Sequence, residues 1–380
     1  MATQESRALT PELLDGIRSR AAGYDRDNAF FTEDLDALRE AGYLAPRPLL
    51  ETARDQRLLA AYAPATALGI NMHLVWTGVA RVLHERGDGS LDWVLRDAEA
   101  GELFAFGNSE PGNDLVLWDS RTRVDAVEGG FAFTGTKIFT SLAPAWTRLG
   151  VFGRQEDGPD GPRLVHGFLT RDAAGSDAPG VTTLDDWDTL GMRATQSNTT
   201  RLEGAFVPDE RISRFLPIGP NADPFVFAIF ANFLLLIGSV YAGIADRALV
   251  LGVEATRRRT SMRTGLSYAQ DPDLRWRVAD AALALDALAP DLETLAADVD
   301  GLVNHGGDWF RKLTGAKHRA TETARYVVDQ AMRLAGGGGY GAGSELARLQ
   351  RDVLAGIYHP SDTESVHSTV ATNLLGALEL

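Results

Sequence analysis

The chain has 380 residues, 44% of them hydrophobic and 23% charged, a globular composition with length for two or three packed units. A formal net charge of −15 offers no basic stripe for nucleic acid and no attraction to an anionic membrane, although local Arg residues or helix N-termini can still hold a small anion. The absence of cysteine removes disulfides, thiolate nucleophiles, iron–sulfur clusters and Cys-ligated zinc, and it agrees with a cytoplasmic setting.

The opening MATQESRALTPEL has no apolar run, so no secretory leader is expected there. Residues 1–102 read as helices. Thr10-Pro11 is an N-cap and first-turn pair, with Leu13, Leu14, Ile17 and Ala21 on one face. A second helix starts at Thr32, where Glu33 and Asp34 suit the positive helix end and Gly42 supplies a stop. Residues 65–86 are apolar on more than one face and predict an inner helix, and Ser90 is read as the cap of a short helix that Gly101 ends.

From Leu103 the period changes from helical to alternating. LFAFG (103–107), RVDAV-EGG-FAFTG (123–135), LVHGFLT (164–170) and TTRLEGAFV (199–207) read as strands or a hairpin within a β domain over 103–218; QEDGPDGPR (155–163) reads as an exposed loop. Helical pattern then runs over 219–380, punctuated by Pro290, by Gly306-Gly307 and by AGGGGYG (335–341), which predicts a hard break. Residues 225–245 carry no charge, long enough for a membrane span; interior Asn232, Gly238, Ser239 and Gly243, with no preceding Lys/Arg cluster, favour the buried central helix of a bundle. No membrane and no nucleic-acid partner is expected.

Four short signals then fall in order: SEPGND (109–114), GTKIFTSLAPAW (135–146), GMRAT (191–195) followed by AFVPDERI (205–212), and RLAGGGGYGAGSELARLQRD (333–352). The second pairs turn-prone Gly and Ser with Phe139 and Trp146, as a flat ligand held between backbone and aromatic faces requires. Each alone has a bland reading as an ordinary turn near an aromatic. In the last, glycines let backbone amides approach a pyrophosphate, whereas a sharp helix–helix turn would need only their curvature. Taken together, the order resembles the acyl-CoA dehydrogenase superfamily, whose first turn usually reads TEPxxGSD. The resemblance implies a mainly α fold with a central β domain: an N-terminal α domain, a middle β-barrel-like domain and a C-terminal four-helix bundle. It also implies a flavin held by Ser109, Phe139, Thr140 and Ser141, and a homotetramer. Arg333, Gly336 and Gly337 stand where the family meets the adenylate half of FAD, which favours FAD with FMN as the alternative. One Arg of TRRRT (256–260), taken here as Arg259, stands near the position that meets the pyrophosphate; for the other two a solvated helix end is the simpler reading.

The chemistry turns on a missing carboxylate. A dehydrogenase of this family must abstract an α-proton while the flavin takes a hydride. Most members place the Glu in a segment resembling IYEG. This chain reads IYHP (357–360), with His359 there, or Pro360, since the spacing is one residue short; the other family position, on the central helix, offers Asn232 and Phe233. Asp362, Glu364 and His359 itself are the remaining bases in reach. His359 together with Ser141 instead resembles the two-component flavin hydroxylases of the superfamily, in which a separate reductase supplies reduced flavin, O₂ adds to form a C4a-hydroperoxide, and a Ser and a His preserve that adduct and activate a small substrate. His73 in NMHLVW (71–76) is a third catalytic candidate, although a lone His on an inner helix is more often a satisfied core residue. His84, His166, His305, His318 and His367 form no ligand pattern, so no metal is expected. The first reading is therefore a flavin-dependent monooxygenase. An acyl-CoA dehydrogenase with a non-standard base follows, and then a flavin- or ligand-binding subunit without turnover.

Overall fold

The computed structural model of the chain describes residues 6, 8–171 and 178–378; the N-terminal stretch read for a leader lies partly outside them. Five helices lead, α1 (Pro11–Asp27), α2 (Thr32–Glu40), α3 (Leu49–Ala60), α4 (Pro64–Glu85) and α5 (Asp92–Glu99). The Thr10 side chain caps α1 by accepting from Leu13 N, as expected. Ahead of α5 the cap differs: Asp88, not Ser90, accepts the first amide, from Ser90 N, because a short 3₁₀ turn over Gly89–Leu91 precedes the helix.

Eight strands follow: β1 (Phe104–Gly107), β2 (Arg123–Val127), β3 (Gly130–Lys137), β4 (Arg148–Gln155), β5 (Arg163–Thr170), β6 (Val181–Thr183), β7 (Thr200–Pro208) and β8 (Ile212–Pro217). They form one sheet in the order β6-β7-β3-β2-β4-β5-β8, with β1 paired parallel to β4. The β2–β3 hairpin turns at Glu128-Gly129, where Gly129 takes φ +76°, a conformation that glycine adopts without cost. A bulge between Phe133 and Thr134 shifts the register of β3 on β7 just before the segment that continues into Phe139 and Ser141.

The second helical group is α6 (Pro224–Arg258), α7 (Pro272–Asp286), α8 (Leu288–Asp300), α9 (Asp308–Ala335), α10 (Gly337–Tyr340), α11 (Glu345–Asp352) and α12 (Thr363–Leu375). The Gly run does end α9, with Gly336 at φ +63°, but its residues from Gly337 wind one further helical turn, α10. The uncharged segment is the N-terminal part of α6, a helix long and apolar enough to cross a membrane; here 83% of its most apolar window is buried, packed against α3, α4, α8 and α9. Gly243 permits that packing, because a Cβ there would lie 2.2 Å from Arg57 O on α3.

α4 joins the first helical group to the sheet. Trp76 is buried, donates from Nε1 to Ala105 O at 2.9 Å, and lies over Gly150 of β4, where a Cβ would meet its ring at 2.3 Å. Truncating such a buried aromatic costs about 3–5 kcal/mol. His73 belongs to the same contact: it is fully buried, its Nε2 donates to Leu44 O at 2.8 Å, and its Nδ1 accepts from Phe104 N at 3.2 Å. Burial lowers its pKa to about 4, so it stays neutral. Neither ring nitrogen is free for a substrate, and His73 is a core residue rather than a catalytic one.

Candidate active site

The SEP turn and β3 are tied by a buried ion pair. Lys137 Nζ lies 2.7 Å from Glu110 Oε1, the two side chains 0% and 1% exposed, and also donates to Phe152 O at 2.6 Å. Glu110 accepts as well from Ser120 Oγ at 2.6 Å, Thr122 Oγ1 at 2.6 Å, Arg121 N at 2.8 Å and Thr122 N at 3.1 Å. Burial pushes the Glu110 carboxyl up, but Lys137 and these hydroxyls more than reverse that and hold it at about 2. This cluster fixes Ser109, whose carbonyl accepts from Ile138 N at 2.9 Å, next to the segment that follows β3.

That segment is unusual in its backbone. Phe139 has φ +56° and Leu142 +67°; across from them, in the loop before β7, Met192 has +54° and Gln196 +42°. Non-glycine residues seldom occupy this region, and such strain gathers where surrounding structure holds a binding surface in shape. Its result is visible: Phe139 is 53% exposed, its ring set edge-on to Trp187 with centroids 6.1 Å apart, and offers an open aromatic face. Beside it Thr140 Oγ1 is buried without a partner. Ser141 Oγ lies 2.7 Å from Ser197 Oγ, Ser197 Oγ 2.8 Å from Thr195 Oγ1, and Thr195 Oγ1 donates to Met192 O at 2.9 Å.

The loop of Met192 is clipped to the second helical group. Met192 N donates to Asp352 Oδ1 at 2.6 Å and Arg351 Nη1 to Leu190 O at 3.0 Å, while Arg351 also pairs with Asp25 of α1. Contact is so close that a Cβ on Gly191 would fall 2.3 Å from Arg351 O. Asp352, at the end of α11, is 2% exposed, and burial raises its pKa to about 6 against the Met192 amide and Arg348, which pull the other way.

From Asp352 a short turn leads to His359. Its Nε2 is out of contact with solvent and has no hydrogen-bond partner, and its ring meets Tyr241 of α6 edge-to-face with centroids 5.8 Å apart. The Tyr241 hydroxyl is likewise buried and unpartnered. Burial, helped by the Lys317 charge, lowers the imidazole to about 3, so it is neutral at physiological pH. Lys317 of α9 holds this turn by donating to Gly356 O at 3.1 Å, His359 O at 2.8 Å and Ser361 O at 2.9 Å.

Among the described residues, neither carboxylate downstream of His359 is free to replace the missing base. Asp362 caps α12, accepting from Ser365 N at 2.8 Å, which lowers its pKa; Glu364 is exposed in the first turn of that helix. On α6, Asn232 packs against Gly78 of α4, where a Cβ would lie 2.0 Å from Asn232 Oδ1, and Phe233 stacks on Phe106 at 5.7 Å.

The remaining expected cofactor residues form a second cluster. Arg259 Nη1 donates to Leu334 O at 2.9 Å, the guanidinium sits over the Tyr268 ring, and a Cβ on Gly336 would lie 2.9 Å from Arg259 Nη1. Gly337 faces open space, Arg257 and Arg258 are exposed, and Arg333 pairs with Asp329 on its own helix at 2.7 Å. The structure thus groups Ser109, Phe139, Thr140 and Ser141 in one place and Arg259 with Gly336 in another. Sequence reading quoted Thr195 and Asp352 only as the last residues of GMRAT and of the run ending in the RD pair, without giving either a role, and it did not identify Ser197 or Lys317.

These side chains fit a flavin: an open aromatic face, a hydroxyl chain ending at Ser141, buried unpartnered Thr140 Oγ1 and His359 Nε2, and a guanidinium against a glycine cradle. Residues 235–361 match the family model described as acyl-CoA dehydrogenase, C-terminal domain. The chain is 31% identical over 373 residues to L-evernosamine nitrososynthase of a Micromonospora species, spanning 92% of this chain and 84% of that protein. It is 26% identical to isobutylamine N-hydroxylase of Streptomyces viridifaciens, over 82% of this chain and 78% of that one. The solved structure of KijD3 in complex with FMN and dTDP-3-amino-2,3,6-trideoxy-4-keto-3-methyl-D-glucose matches at TM-score 0.83 and 26% identity, over 99% of this chain and 98% of that one. The chain therefore belongs to the acyl-CoA dehydrogenase superfamily, as one of its flavin-dependent oxidoreductases.

Proposed function

We propose that the protein is a monooxygenase that takes reduced flavin, FMN in the first place, from a separate reductase and oxygenates a small organic substrate with O₂, an amine being the first to try. The observation that carries this is His359: where a dehydrogenase needs a carboxylate, the turn carries a neutral imidazole whose buried Nε2 has no partner, and the nearby Asp362 and Asp352 are spent on a helix cap and on the Met192 amide. Reduced flavin supplies the two electrons that leave one oxygen atom for the substrate and the other as water. The chain's own residues do the rest. Phe139 gives the ring a face, Ser109, Thr140 and Ser141 hold its polar edge, and the neutral Nε2 of His359 accepts a hydrogen bond from a substrate N–H or O–H and orients that heteroatom. The Gly191–Asp352 clip keeps Ser141 and His359 in fixed relation.

FMN comes before FAD because the solved structure of KijD3 carries FMN and because Arg333, the expected adenylate contact, is already paired with Asp329. A cytoplasmic homotetramer completes the proposal; Trp276 and Leu283 on α7, 75% and 72% exposed, give apolar area for contact between copies. The test is anaerobic titration with reduced and oxidised FMN and FAD, then rapid mixing with O₂. Preference for reduced flavin, and return of oxidised-flavin absorbance far slower than in free solution, support the proposal. Bleaching of bound oxidised flavin by an acyl-CoA would instead identify a dehydrogenase.

A further inference from the structure

We infer that the hydroxyl chain Ser141–Ser197–Thr195 makes the site selective for the reduced flavin by fixing Ser141 as a hydrogen-bond acceptor. The inference rests on the proposed seat of the flavin ring at Phe139 and Ser141, and it assigns roles to Ser197 and Thr195, which would touch no ligand.

The argument is a count of protons. Three contacts link Ser141 Oγ to Ser197 Oγ at 2.7 Å, Ser197 Oγ to Thr195 Oγ1 at 2.8 Å, and Thr195 Oγ1 to Met192 O at 2.9 Å. Each hydroxyl has one proton to donate, and the carbonyl at the end can only accept. Three bonds therefore use three protons in one direction only: Thr195 donates to Met192, Ser197 to Thr195, and Ser141 to Ser197. All three residues are buried, at 7%, 5% and 0% exposure, so water does not compete for these protons. Ser141 is left with free lone pairs and nothing to donate outward.

Reduced flavin carries a proton on N5, whereas oxidised flavin presents a bare N5 lone pair. An acceptor-only Ser141 pairs with the first and opposes the second. The terminus of the chain is fixed as well, since Met192 is held by its amide bond to Asp352 at 2.6 Å, so the polarity is built into the clip between the β domain and α11. Thr195 and Ser197 are positioning residues in this scheme.

The test is Thr195→Val, with Thr195→Ser and Ser141→Ala beside it, read as dissociation constants for reduced and oxidised FMN measured anaerobically. Valine removes the last donor; Ser197 can then donate to Ser141, which frees the Ser141 proton for oxidised N5. Oxidised-flavin affinity should rise on the order of tenfold while reduced-flavin affinity stays put, and Thr195→Ser should retain the wild-type ratio. A loss of packing would weaken both forms together, and an unchanged ratio in Thr195→Val overturns the inference. If Ser141→Ala shifts the ratio and Thr195→Val does not, the polarity argument fails alone. If wild-type protein binds neither form, or Ser141→Ala leaves the ratio unmoved, the seating of the flavin fails and the inference with it.

Discussion

Replacing Lys137 by Met tests whether the buried pair beneath the SEP turn holds the candidate site in shape. Met keeps the stem but strands the Glu110 carboxylate with five hydroxyl and amide donors and no cation, and Phe152 O loses its partner. The two shifts of the pair act in opposite senses. Glu110, held at about 2 against an ordinary 4.5, contributes stability that is present above pH 4.5 and lost as pH falls through 2. Lys137, lowered by burial to about 8 from 10.5 despite Glu110, carries a cost that is present below pH 8 and relieved as pH rises to 10.5. Both shifts contain the same Glu110–Lys137 attraction and do not add as independent stabilities; the desolvation of two buried charges offsets that attraction, so the intact pair nets little. Removing one member does not: an uncompensated buried charge costs about 3–5 kcal/mol. Urea unfolding should therefore show a loss of that size for Lys137→Met, with the double variant Glu110→Gln/Lys137→Met recovering about 2 kcal/mol of it. A loss below about 1 kcal/mol for the single variant, or simple additivity in the double, would refute the reasoning.

Other consequences are equally open to measurement. Gly191→Ala sets a Cβ against backbone atoms of Arg351 and should cost about 1–3 kcal/mol in unfolding and weaken flavin binding as the Met192–Asp352 bond opens; unaltered binding would separate the clip from the site. Asp352 has a folded pKa raised to about 6 from 3.8, so the wild type gains stability as pH falls through 6 toward 3.8. Asp352→Asn, which keeps the Met192 bond, should be up to about 3 kcal/mol more stable than wild type at pH 7 and level with it near pH 4; instability at pH 7 would contradict this. Lys317, lowered to about 8 by burial against the pull of Asp362 and Glu322, loses one of its three donors when it deprotonates, so turnover should decline as pH rises through 8; Lys317→Met should be impaired at every pH and lose that alkaline decline.

What the sequence made legible was local or repetitive. The change of period at Leu103, the hairpin at Glu128-Gly129-Gly130 and the uncharged core of α6 follow from alternation, turn chemistry and helical spacing. The order of four motifs was enough to point to the superfamily. The site itself depends on contacts that no window spans: Asp352 meets Met192 across 160 residues and Ser141 meets Ser197 across 56. The left-handed conformations of Phe139 and Met192 leave no mark in composition, because tertiary contacts impose them. His73 shows the converse, a plausible catalytic type whose two nitrogens the core had already engaged.

The measurement that bears most directly on the account is a crystal structure of the protein grown with FMN. The account predicts the tricyclic ring against Phe139, Ser141 Oγ within hydrogen-bond reach of N5, and His359 as the nearest titratable side chain over the ring. A ring bound elsewhere, or a carboxylate of Asp362 or Glu364 turned onto it, would contradict that account.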